Sequence, residues 1–175
     1  MIFRHCTVND IDAFLEYQPT LARETTHMLQ IPGRVPERTK IQAAWEASLH
    51  DPVELMLGVF VDSRMVAQLG FHYERQPPHP WTRHMGKFGM GILQEFWGEG
   101  LGRRMLEIME EHAKPLGITR IEAQVRTRNE RGVKLYTRMG YEIEGTRKQA
   151  AWINGEFQDE YFIAKILAPP NPLGN

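Results

Sequence analysis

From Met85 to Leu93 apolar and polar or small residues alternate, with Phe88, Met90 and Ile92 on one side of an extended chain. That pattern predicts a strand with one buried face. Phe96, Trp97 and the run Gly98-Glu99-Gly100-Leu101-Gly102 follow at once, and from Leu101 the apolar spacing becomes helical, placing Leu101, Met105, Ile108 and Met109 on one stripe. Strand, glycine-rich turn and helix thus form the centre of the chain.

The flanking patterns are predicted in order. Ile2 to Val8 is a first strand, and Asn9-Asp10 offers an N-cap for a helix to about Tyr17, where Pro19 interrupts. Thr20 to Leu29 continues as irregular helix, and Gln30 to Val35 is a loop around Pro32-Gly33. Pro36 opens a helix over Glu37 to His50, with Ile41, Ala44, Trp45 and Leu49 as its apolar stripe, joined or not by Ser48. Val53 to Val61 and Met65 to Tyr73, joined by Asp62-Ser63-Arg64, form an antiparallel hairpin, and Gln76 to Pro80 is an irregular loop. Beyond the central helix, which ends near Pro115-Leu116-Gly117, Ile118 to Val125 is a strand. Asn129 caps a short helix to Met139 that Gly140 closes, and Tyr141 to Arg147 and Asp159 to Leu167 are strands around Asn154-Gly155. The order β-α-α-β-β-β-α-β-α-β-β describes one mixed α/β domain over residues 1–167, with 168–175 as a frayed, proline-rich tail. The strand–helix–strand from Met85 to Val125 predicts a parallel pair with a right-handed crossover.

Three alternating glycines before a helix expose several backbone N–H groups, and the helix start adds unpaired donors and the positive end of its dipole. This suits a phosphate or pyrophosphate; a tight strand-to-helix turn without a ligand fits the same residues. Two phosphate motifs are excluded. Gly102 is followed by Arg103 and Arg104 where a Walker loop has Lys and Ser or Thr, and Arg103 stands where a dinucleotide fingerprint has its third glycine.

Composition narrows the classes. At 175 residues and a formal charge of −1, the chain is long enough for one substantial core and lacks the basic excess of a nucleic-acid binder. Cys6 is the only cysteine, and no two of the seven histidines have zinc-ligand spacing, so neither an internal disulfide nor a metal site is expected. The N-terminus has no signal-peptide core, and the longest apolar run, Leu55 to Val61, is too short to span a bilayer, which predicts a cytoplasmic protein without membrane association.

The element order, the turn Trp97 to Gly102, and the later Asn129…Leu135-Tyr136…Met139-Gly140-Tyr141…Glu144-Gly145 resemble the GNAT superfamily of acetyl-CoA-dependent N-acetyltransferases. Gly155, four residues before Asp159, is similar to the branch of ribosomal-protein, spermidine and small-amine acetyltransferases. The resemblance covers roughly residues 1 to 167. Trp97 departs from it, standing where the family's pyrophosphate loop has Arg or Gln, while Gly100 and Gly102 fit.

The resemblance implies a mixed sheet with splayed strands flanked by helices and acetyl-CoA as cosubstrate. The cofactor-binding residues it implies are Met90, Gly91, Ile92, Trp97, Gly98, Glu99, Gly100, Leu101, Gly102, Arg103 and Asn129. Amides of the kinked strand around Met90-Gly91-Ile92 would take the pantetheine arm and thioester carbonyl, in the manner of an oxyanion hole. Tyr136 would act as the acid that protonates the departing thiolate. The implied acceptor groove involves Thr20 to Arg38 and Lys148 to Gln158. The implied reaction is direct transfer of the acetyl group to a primary amine of a small molecule or a protein N-terminus. A longer acyl-CoA donor and a non-catalytic acyl-CoA sensor on the same scaffold stay open as alternatives. The base is open among Glu24, Glu74, Asp159, Glu160, His72 and His84, of which Glu24, His84 and Asp159 are the substrate-side candidates. Exposed strand edges leave a homodimer open as well.

Overall fold

The computed structural model of the chain describes residues 1–74 and 77–167. The expected tail lies outside them, as does Gln76 of the expected loop, while Pro77 to Pro80 has no regular structure. Seven strands form one mixed sheet in the order β1-β2-β3-β4-β5-β7-β6: β1 (Ile2–His5), β2 (Leu55–Val61), β3 (Arg64–Tyr73), β4 (Met85–Ile92), β5 (Arg120–Arg126), β6 (Glu142–Ile153) and β7 (Glu156–Ile166). Among the described residues four α-helices accompany them: α1 (Ile11–Glu24), α2 (Arg38–Ser48), α3 (Leu101–Ala113) and α4 (Glu130–Arg138). The fold is the α/β arrangement expected from the pattern. Contacts group the chain into two units, Met1–Phe71 with Met90–Met105, and His72–Gly89 with the chain from Leu106 onward.

In the first unit β1 pairs antiparallel with β2, and β2 with β3. The β2–β3 hairpin turns at Asp62 and Ser63, with φ of 48° and 69°. Two left-handed residues in succession match the right-handed twist of the flanking strands, and a short polar side chain lowers the cost of that conformation. Cys6, Ile11, Phe14, Tyr17, Leu21, Trp45, Phe60, Met65 and Leu93 form one buried cluster, in which Phe14 and Trp45 meet edge to face at 5.1 Å.

α1 corrects the sequence expectation. It runs through Pro19 to Glu24. A proline inside a helix removes one backbone bond and costs about 3 kcal/mol. The buried face Ile11, Phe14, Tyr17, Leu21 and Ala22 extends on both sides of it. Each large apolar side chain on that face contributes about 1.5–3 kcal/mol, so burial outweighs the break. Thr20 also donates its hydroxyl to the Glu16 carbonyl at 3.3 Å. On α2 the buried positions are Trp45 and Ser48, while Leu49, at the C-cap beyond the last helical residue, is 51 % exposed and leaves the expected stripe.

In the second unit β4 and β5 are parallel over Met85↔Arg120, Gly86↔Ile121 and Lys87↔Glu122. β5 continues to Arg126 against antiparallel β7. β6 and β7 extend to the Asn154-Gly155 turn, beyond the strands expected to stop at Arg147 and start at Asp159. The pattern hides this because pairing shifts between Arg147 and Ala151, where Gln149 has a φ of 51°. A bulge of this kind breaks the period of two. On α3, Leu106 is fully buried beside Leu101, Met105 and Met109, and Ile108 is only partly covered.

Ahead of α1, Asp10 accepts from Arg4 at 2.6 and 2.7 Å and from the Thr7 N–H at 2.8 Å. The Arg4 guanidinium holds this nearly buried carboxyl down at about 2, against an opposing desolvation cost. A depressed folded-state pKa contributes stability above the unfolded value, and that contribution is lost as pH falls through the folded value. Asp10→Asn is therefore expected to destabilise the chain by on the order of 2 kcal/mol at pH 7, the gap narrowing between pH 4 and pH 2. Urea unfolding of both proteins across that range checks it; a gap independent of pH contradicts the ion-pair account.

Candidate active site

The burial of β4 changes phase along its length. Gly86 and Phe88 are buried, then Gly91 and, beyond the strand, Leu93. Even positions give way to odd ones between Gly89 and Gly91, so the buried side of the chain changes there. The parallel ladder to β5 has already ended at Lys87. α1 explains the position of Gly91: an added Cβ there would lie 2.5 Å from Leu21 Cδ2 and 2.6 Å from the Tyr17 hydroxyl. Only a residue without a side chain permits that approach. Tyr17 is 2 % exposed and its hydroxyl makes no hydrogen bond of full geometry. Burial drives its phenol well above its ordinary value, with the Gln68 main chain drawing it partly back.

Beyond β4 the Leu93 N–H returns to the Val66 carbonyl at 3.0 Å, and Gln94–Phe96 form one 3-10 turn. The Trp97 indole N–H donates to the Ile92 carbonyl at 2.8 Å. Trp97 therefore keeps a polar contact at the base of the turn despite standing in place of Arg or Gln. Gly98 and Gly100 have φ of 89° and 81°, and nothing lies within 4 Å of where a Cβ would stand on either. Conformation, not crowding, selects glycine at both. The Gly100 carbonyl accepts the first helical bond of α3, from the Arg104 N–H at 3.1 Å. The amides of Leu101 and Gly102 thus precede the helical ladder, and Glu99 and Arg103 are exposed beside them.

Glu24, the last residue of α1, reaches this segment. Its carboxylate accepts the Gln94 N–H at 2.7 Å, and the Gln94 side-chain amide donates to the Glu24 carbonyl at 2.8 Å. Both residues border a cavity of about 310 Å³, lined also by Arg23, Thr25, Thr26, His27 and Trp97. The Gln94 and Tyr17 contacts were not legible in the chain, since neither residue belongs to a local motif.

In the second unit the Asn129 side chain accepts the Gly132 N–H at 2.9 Å and caps α4, and Gly140 ends the helix at a φ of 86°. Tyr136 is 8 % exposed, in an aromatic cluster with Phe88 at 5.6 Å and Tyr141 at 6.0 Å. Burial pushes its phenol above the ordinary value, so it carries its proton throughout the neutral range.

Most of the base candidates have structural partners. Asp159 accepts from Lys148 at 2.8 Å and from the Gln149 N–H at 2.9 Å, which fixes the β6 bulge and holds its carboxyl below the usual range. Glu160 pairs with the buried Arg126 at 2.8 Å, and Glu74 with Lys87 at 3.1 Å. His72 bonds the Tyr73 carbonyl at 2.6 Å through Nδ1. His84 has an exposed side chain just ahead of β4, and its carbonyl accepts from Thr119 and Arg120 at the ladder-paired end. Among the described residues no three His, Cys, Asp or Glu side chains are grouped as a metal ion would need, and no helix is long and apolar enough to cross a membrane.

Comparison with known proteins meets the geometry. The model of the "Acetyltransferase (GNAT) family" matches residues 22–141. The chain is 28% identical over 170 residues to the L-amino acid N-acetyltransferase AaaT of Escherichia coli K12, covering 95% of this chain and 98% of that one. Its fold is similar to an acetyltransferase of the GNAT family from Streptococcus pneumoniae, with a TM-score of 0.87 at 23% identity over 95% of this chain and 99% of the other. It is likewise similar to a putative acetyltransferase, yncA, of Salmonella typhimurium solved with acetyl-CoA, with a TM-score of 0.82 at 18% identity over 97% and 98% of the two chains.

The close approach of α1 makes a direct prediction. Gly91→Ala is expected to cost about 1–3 kcal/mol as Leu21 and Tyr17 are displaced. Gly89→Ala, where an added Cβ has nothing within 4 Å, should cost less. Equal losses in urea unfolding would show that the contact does not constrain the strand.

Proposed function

From its membership of the acetyltransferase (GNAT) family, to which this chain belongs as an acyl-CoA-dependent N-acetyltransferase, we propose that it acetylates the primary amine of a small molecule, with L-amino acids first among the acceptors. The observation that carries the reading is the turn before α3, where Gly98 and Gly100 are left-handed and nothing stands within 4 Å of where a Cβ would be on either. The end-to-end match to an L-amino acid N-acetyltransferase supports the acceptor class. A protein N-terminal amine is the neighbouring class.

The residues fit the cosubstrate acetyl-CoA. Two left-handed glycines with nothing near their Cβ positions keep side chains away from the turn, and the α3 dipole adds favourable charge for an anion. In this reading Gly98, Glu99, Gly100, Leu101, Gly102 and Arg103 hold the pyrophosphate, with Trp97 fixing the base of the turn. The backbone of Met90, Gly91 and Ile92, beyond the β4–β5 ladder, orients the acyl end, and Asn129 bonds the cofactor arm while capping α4. Bound acetyl-CoA supplies a thioester whose C–S bond breaks as the amine nitrogen bonds to the carbonyl carbon.

Tyr136 holds the proton that the leaving sulfur requires. Its burial keeps the phenol protonated, and an acid of this kind contributes typically 10²–10⁴-fold when positioned within hydrogen-bond reach. The amine must lose a proton to attack. The ion pairs of Asp159 and Glu160 leave these carboxylates committed to strand structure, which favours a solvent water as the acceptor of that proton.

A thiol-release assay with acetyl-CoA, a panel of L-amino acids and short peptides tests the reading. Tyr136→Phe is expected to retain acetyl-CoA binding while kcat falls by roughly 10²–10⁴. Full kcat in that variant removes Tyr136 from the mechanism, and turnover with peptides alone replaces the amino-acid acceptor by a protein N-terminus.

A further inference from the structure

Glu24 and Gln94, 70 positions apart, complete each other's secondary structure. The Glu24 carbonyl is one of the last in α1, for which the helix itself supplies no donor. The Gln94 side chain supplies one at 2.8 Å. The Gln94 N–H opens the Gln94–Phe96 turn, whose own N-cap, Leu93, provides no side-chain bond. The Glu24 carboxylate fills that role at 2.7 Å. Each residue thus caps the element that carries the other.

The segment so held is short and fixed along its length. The Phe96 N–H bonds the Leu93 carbonyl at 3.0 Å and the Trp97 N–H bonds the Gln94 carbonyl at 3.0 Å. The Trp97 indole is tied to Ile92 at 2.8 Å, and Glu95 pairs with Arg64 at 2.7 Å. Gly98 follows at once. Between the clasp and the cradle from Gly98 to Gly102, Glu95, Phe96 and Trp97 each carry one of these bonds, which ties the orientation of the cradle amides to where Gln94 is held.

We propose that Glu24 is a positioning residue for the cofactor loop, acting through Gln94 without touching the substrate. The inference rests on the acetyl-CoA reading above. It assigns Glu24 a role different from that of a base or an acceptor ligand: its carboxylate serves as a hydrogen-bond acceptor, and its charge is incidental. An amide oxygen in the same place does the same work. Loss of the clasp shifts the cradle, so the effect falls on the cofactor and not on the acceptor.

The test is calorimetric titration with acetyl-CoA of the wild-type chain and of Glu24→Gln, Glu24→Ala and Gln94→Ala, with KM for both substrates, kcat and the unliganded Tm measured alongside. Glu24→Ala and Gln94→Ala are each expected to weaken acetyl-CoA binding roughly three- to tenfold, the scale of one or two net hydrogen bonds. The double variant, which loses both bonds, should bind more weakly than either single one but by less than the product of the two single effects, because the bonds support one contact. Glu24→Gln should bind as the wild type does, and in all variants the acceptor KM and the kcat at saturating acetyl-CoA should stay unchanged. A lower Tm with unchanged affinity makes the clasp merely structural and overturns the inference. A collapse of kcat in Glu24→Gln makes Glu24 a base and overturns it equally. If the wild-type chain does not bind acetyl-CoA, the cofactor reading falls and takes the inference with it. If the wild type binds and the Ala variants bind equally well, the inference alone falls.

Discussion

The parallel ladder between β4 and β5 stops at Lys87, while β5 runs on to Arg126 against β7. Backbone N–H and C=O groups are strong hydrogen-bonding groups, and a strand that leaves its neighbour must find other partners for them. The end of β4 does so in part through the Trp97 indole on the Ile92 carbonyl and the Leu93 N–H on Val66. From Leu93 the main chain leads through the Gln94–Phe96 turn directly into the glycine turn and the start of α3. Most of the chemistry proposed for the chain is main-chain chemistry along this path. The path is rich in glycine and poor in catalytic side-chain types, as main-chain chemistry would require.

A backbone that binds through its main chain would have to be held in place by its neighbours. α1 does this at two points: Leu21 and Tyr17 press on Gly91, and Glu24 clasps Gln94. The two contacts are unlike in kind. The first is steric, and permits one residue type; the second is a pair of hydrogen bonds. Both contacts come from one helix, and its continuity through Pro19 matters because Tyr17 and Glu24 lie on opposite sides of the proline.

Local patterns in the sequence were sufficient for much of this. The glycine turn before α3, the Asn129 cap, the Gly140 terminus and the Asn154-Gly155 turn each lie within a few residues of the elements they define, and capping and turn chemistry read them directly. Other features depend on distant partners. Pro19 reads as a break because burial on both sides of it is invisible in a window of a few residues. The β6 bulge, fixed by Asp159, interrupts the alternation that would otherwise show the full hairpin. Trp97 reads as a lost polar group until its N–H is seen on Ile92. Glu24 reads as a candidate base, because type alone cannot show that its carboxylate caps a turn 70 residues later.

Amide hydrogen exchange with and without acetyl-CoA tests the central claim, that the main chain leaving the β4–β5 ladder is the cofactor site. The account predicts that acetyl-CoA slows exchange at amides between Met90 and Ile92 and from Gly98 to Gly102, with little change in the paired stretch Met85 to Lys87. Protection confined to other segments, with the glycine turn and the end of β4 exchanging as before, would contradict it.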